Sequence, residues 1–146
     1  MYVTYSIINL LGGEKSMKNE MSIGKATGLF IVWEIVYTLI FSLIEGGIGG
    51  VLLLIFGNEN VVNIINIIPD IIFQFLILKF AIWNTLKKES ISSYSERQFL
   101  ISICIIYIIV SIFPLFIDFN VVSMFGSLIG LAPLLFAKKY IEQYNN

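Results

Sequence analysis

Asn63, Asn66, Asp70 and Gln74 stand in an otherwise apolar run from Val61 to Trp83. On a helix turning about 100° per residue they fall within a sector of roughly 80°, and isoleucine covers the rest of the circumference. Such a helix has one side for lipid and one for something polar. A carboxylate at mid-membrane costs about 2.5 to 3.5 kcal/mol on insertion scales, and such groups nearly always face a bundle interior or an aqueous cavity. A second polar line precedes this one. Thr27, Glu34, Thr38 and Glu45 recur at helical spacing, with Ser42 about 60° away. Counting about 1.5 Å per residue from Lys25, Glu34 lies near 13 Å, close to the middle of a roughly 30 Å core, whereas Glu45 reaches the far interface.

Glu34 and Asp70 are therefore expected at similar depth on adjacent antiparallel helices, as neighbours if their stripes face each other. Lys79 is a poor partner for Asp70, being about 13 Å away along the axis and roughly 180° around it, with a stem that can snorkel to the interface. Desolvation and like-charge repulsion then leave at least one acid protonated or a cation bound between the two. Asn63, Asn66, Gln74 and Thr38, backed by Tyr107 and Ser111, add oxygens and donors suited to a proton or an alkali cation. The same amides and hydroxyls serve equally as hydrogen-bonding glue between spans, at about 0.6 to 2 kcal/mol each.

Catalytic chemistry finds little support. Histidine is absent and Cys104 is the only cysteine, which removes disulfides, imidazole relays and the common zinc sites. No H-E-x-x-H pattern, lysine-bearing Gly-rich phosphate loop or intramembrane pair of aspartates occurs. Neither a cofactor, a metal centre nor an enzymatic activity is expected.

The elements that must position these groups follow from the apolar runs. The chain has 146 residues, 58% of them hydrophobic, and a span takes about 20, so four spans use most of it. The expected fold class is an all-α membrane protein, a four-transmembrane-helix bundle of two antiparallel hairpins forming one domain. The spans are placed at residues 26–45, 61–83, 99–117 and 121–137. Four glycines in Gly46-Gly47-Ile48-Gly49-Gly50 predict a break after the first helix, making 46–60 an outer or re-entrant connection; the alternative is close helix packing through Gly46 and Gly50. Pro69 frees the carbonyl of Ile65 beside Asp70. Residues 84–98 read as a polar loop. In the third span Cys104, Tyr107, Ser111, Pro114 and Asp118 share a side, with Asp118 at the outer end. The fourth presents Ser123, Gly126, Ser127, Gly130 and Pro133, and Gly126 and Gly130 are spaced for a close helix contact.

Residues 1–25 form an N-terminal segment, of which 1–16 either precede a true start at Met17 or make a short interfacial helix, and 138–146 form a tail. With four spans, all nine basic residues fall on the side of the N-terminus, the middle loop and the C-terminus, or in the membrane near it. The positive-inside rule then puts both termini in the cytoplasm, an N-in/C-in protein of the cell membrane. Two functions fit. One is a proton- or cation-coupled transport or permeation component. The other is a non-catalytic accessory, assembly or immunity-type protein whose polar stripes dock a partner helix. Either way the expected partners are the lipid bilayer and a homo-oligomer or larger membrane complex, and nothing points to nucleic acid.

Overall fold

The structure, a computed structural model, describes residues 19–117 and 121–145. The regular elements are all helices: α1 (Ile23–Phe56), α2 (Glu59–Leu86), α3 (Ser93–Ile117), α4 (Val121–Leu131) and α5 (Leu134–Asn145). Only Ala132 and Pro133 separate α4 from α5, so there are four helical runs, the last one interrupted. Among the described residues three helices are long and apolar enough to cross a membrane: α1, α2 and the Ser93–Phe113 part of α3. They give the chain the form of a multi-pass membrane protein. Residues 1–18, with the candidate start at Met17, lie outside the described residues, as does Asp118.

The predicted break at Gly46–Gly50 does not occur. α1 runs unbroken for 34 residues to Phe56, so residues 51–56 belong to it rather than to a re-entrant piece. A glycine costs a helix about 1 kcal/mol relative to alanine, but in apolar surroundings no water competes for the backbone hydrogen bonds, and α2 lies against this stretch. The contact runs through Gly49, whose Cβ would stand 3.1 Å from Asn66 Nδ2, and not through Gly46 or Gly50, around which a Cβ would meet nothing within 4 Å. At about 1.5 Å per residue α1 is roughly 51 Å long, so it must tilt or project beyond a core of about 30 Å.

The reversal comes at Gly57-Asn58. Gly57 takes φ 62° and its N–H bonds to the Leu53 carbonyl at 2.8 Å, a left-handed helix end that suits glycine. Asn58 caps α2, its Oδ1 accepting from the backbone N–H of Asn60 at 2.9 Å and of Val61 at 3.4 Å. Pro69 sits inside α2 without ending it. Pro133 does interrupt the fourth run, because it has no N–H to give. Three-residue bonds from Ala132 to Ile129 and from Phe136 to Pro133 tighten the turn around it.

The buried apolar residues gather at the end of the bundle that carries the loop between α2 and α3. Phe30 on α1 meets Phe99 on α3 edge to face at 6.0 Å, over Leu78, Ala81, Ile82 and Ile103. Below them three chain segments are stitched together. Met21 N–H bonds to Ser90 O at 2.8 Å and Ser90 N–H to Asn19 O at 3.1 Å, while Lys25 pairs with both oxygens of Glu89 at 2.7 and 2.6 Å. The Asn145 side chain accepts from Ile91 N–H at 2.7 Å and donates to Ile91 O at 2.9 Å and Glu96 Oε1 at 2.6 Å, tying α5 to the same loop.

Candidate functional site

The site follows from the register of the α1–α2 hairpin. Glu45 precedes Gly57 by twelve residues and Asp70 follows Asn58 by twelve, so the antiparallel helices bring them level. The same symmetry relates Gly49 to Asn66, which touch. Phe41 against Phe73, 4.9 Å between ring centroids, lies close to that register. Glu45 and Asp70 line the same cavity. Among the described residues, Asp70 Oδ1 is buried without a hydrogen-bond partner.

Glu34 and Asp70, expected as neighbours, line adjoining cavities instead. That expectation presumed a connection over 46–60. Moving the turn to Gly57-Asn58 slides α2 outward along α1 and presents Asp70 to Glu45. The Asp70 cavity, about 320 Å³, also takes in Ser42, Thr38 and Gln74. Outward, Ser42 and Glu45 also border a 470 Å³ cleft with Asn63, Asn66, Glu59 and the open faces of Gly46 and Gly50. Inward, Thr38 and Gln74 also border a 420 Å³ cavity holding Glu34, Tyr107, Ser111 and Ser127. Three adjoining cavities thus follow the α1–α2 hairpin from Glu59 of α2, beside the turn, down to Glu34 of α1. The buried cluster around Phe30 and Phe99 lies beneath them.

Every ion-binding candidate read from the sequence borders one of these cavities. Among the described residues, Asn66 Oδ1, Glu34 Oε2 and Tyr107 OH are buried without a hydrogen-bond partner. The Tyr107 hydroxyl lies beside the Glu34 carboxyl, but neither of those two atoms completes a bond of good geometry. At Gly130 a Cβ would stand 3.0 Å from Ser111 Oγ, and Ser127 Oγ donates to Ser111 O at 2.6 Å. Gly126 opens onto empty space.

Glu45, placed at the far interface by counting, is the partner that sequence reasoning missed. The turn chemistry of Gly57-Asn58 was the signal that could have found it. A second unforeseen cluster stands nearer the stitched end, where Tyr37 accepts from the Asn84 side-chain amide and Asn84 accepts from Lys87. The Lys87 ammonium lies 5.0 Å from the Trp83 ring centroid and 5.7 Å from that of Trp33, so aromatic faces and an amide hold this charge.

Comparison with protein-family models, curated proteins and solved structures finds no match to this chain.

Proposed function

We propose that this chain is a small transport component that takes a proton or a monovalent cation into the Glu45–Asp70 pair. The observation that carries this reading is the pair itself. Two carboxyl groups from different helices line one cavity, and among the described residues one of their oxygens is buried without a hydrogen-bond partner and neither group forms an ion pair with a base. When both are ionised they only accept, so a proton or a cation between them relieves both repulsion and desolvation. Thr38, Ser42 and Gln74 supply the further oxygens.

The cavities line up from the Gly57-Asn58 turn inward and stop above the buried aromatic cluster, an arrangement suited to binding from one side and release after a rearrangement. An open pore would need no such floor. In this reading residues 121–137 complete a fourth span, both termini are cytoplasmic, and copies of the chain or a larger complex complete the wall.

The accessory reading has one observation in its favour, the open space beside Gly46, Gly50 and Gly126, which could admit a partner helix. Proton, sodium and potassium flux into proteoliposomes separates the two. Flux lost in Asp70→Asn, with unchanged gel filtration in detergent, supports transport. Vesicles of the wild type that stay tight to all three ions refute it.

A further inference from the structure

The inner cavity holds a carboxylate that the Glu45–Asp70 pair does not use. Among the described residues Glu34 Oε2, on α1, and the hydroxyl of Tyr107, a side chain of α3 that is 5% exposed, are both buried without a hydrogen-bond partner. Ser111, 8% exposed, and Ser127 line the same cavity, with Thr38 and Gln74. The remaining walls are aliphatic, from Ile35, Leu39, Ile106 and Val110. Ile35, Leu39 and Val110 are themselves largely exposed at the bundle surface, so the cavity borders the region where lipid chains would lie. Its volume, about 420 Å³, is in the range of small-molecule sites, and a few convergent polar groups on apolar walls are their usual make-up.

We infer that this cavity binds a protonated primary amine carrying an apolar body, with the ammonium on Glu34 and its N–H groups donated to the Tyr107 and Ser111 oxygens. Charge decides the sign, since a buried carboxylate without a base is compensated by a cation and not by an anion or a neutral molecule. Hydrogen bonding decides the head group. An ammonium offers three donors to a set of acceptor oxygens, whereas a quaternary ammonium offers none. The aliphatic walls and their position beside lipid suit an alkyl chain arriving from the bilayer. Because Thr38 and Gln74 border both this cavity and the Asp70 cavity, amine and ion would occupy neighbouring sites. What the bound amine is for rests on the transport reading above; whether it binds does not.

Titration calorimetry of the purified full chain in detergent with n-hexylammonium tests this. Saturable binding is expected, weakened about tenfold or more by Glu34→Gln and by replacing the probe with hexyltrimethylammonium, and close to wild type in Asp70→Asn. Tyr107→Phe removes only the hydroxyl beside Glu34 and keeps the ring, so it should weaken binding severalfold with the fold intact even if Glu34→Gln does not fold. Absence of saturable binding, equal binding of the quaternary probe, or binding indifferent to both Glu34→Gln and Tyr107→Phe overturns the inference. Amine binding without ion flux would overturn the ion reading alone, and Asp70-dependent flux without amine binding would overturn the amine site alone.

Discussion

Glu45 and Asp70 line one cavity because each stands twelve residues from the Gly57-Asn58 turn, one before it and one after. That placement depends on α1 remaining helical through four glycines.

That register is open to crosslinking. In a Cys104→Ser background, the pair Gly49→Cys with Asn66→Cys should form a disulfide on mild oxidation in membranes, since the Gly49 Cβ position already lies 3.1 Å from the Asn66 side chain. Glu34→Cys with Asp70→Cys should not. The opposite pattern would restore a break at Gly46–Gly50.

The acid pair makes a prediction about stability as well as flux. Asp70→Asn keeps a hydrogen-bonding group beside Glu45 and removes the repulsion, so its unfolding temperature in detergent should equal or exceed that of the wild type. Asp70→Leu leaves Glu45 facing an apolar group and should cost about 1 to 3 kcal/mol. A marked loss of stability in Asp70→Asn would instead make Asp70 a structural residue.

Two glycines four residues apart should behave differently. Nothing stands within 4 Å of a Cβ at Gly126, so Gly126→Ala should be neutral or gain up to about 1 kcal/mol from helix propensity. Gly130→Val adds a branched side chain where Ser111 Oγ is already 3.0 Å from the Cβ position, and should cost about 1 to 3 kcal/mol. Thermal unfolding of the two variants side by side checks the contrast.

The stitched end offers a comparison of charge with hydrogen bonding. The Lys25–Glu89 pair is partly exposed, at 52% and 32%, so Glu89→Gln should cost no more than about 1 kcal/mol, and less in high salt. Asn145→Ala removes three hydrogen bonds in a half-buried position and should cost about 1 to 3 kcal/mol with little salt dependence. Denaturation in detergent at low and high salt measures both.

The long apolar helices and their polar stripes could be read from the sequence, because lipid allows few ways to satisfy a backbone and helical periodicity leaves a plain trace. Asp70, Asn66, Gln74, Glu34 and Thr38 were legible as cavity-lining residues for the same reason. The pairing was not. It depends on where α1 stops, and glycine propensity, measured where water competes for the backbone, pointed to Gly46–Gly50, while the left-handed turn that ends the helix lay seven residues further on, at Gly57. The Asn145 contacts and the Lys87 ring cluster join residues far apart in the chain, and no local pattern announces such pairs.

The concentration of buried side chains at one end has a mechanical consequence. With Phe30, Phe99, Ile82 and Ile141 clamped there and no comparable cluster described beside Gly57, the free energy of local opening must rise along α1 and α2 from the hairpin tip to the clamp. The molecule is built like tweezers gripped at the base. Amide protons in the outer turns should exchange first, and the arms that spread in doing so are those that carry Glu45 and Asp70.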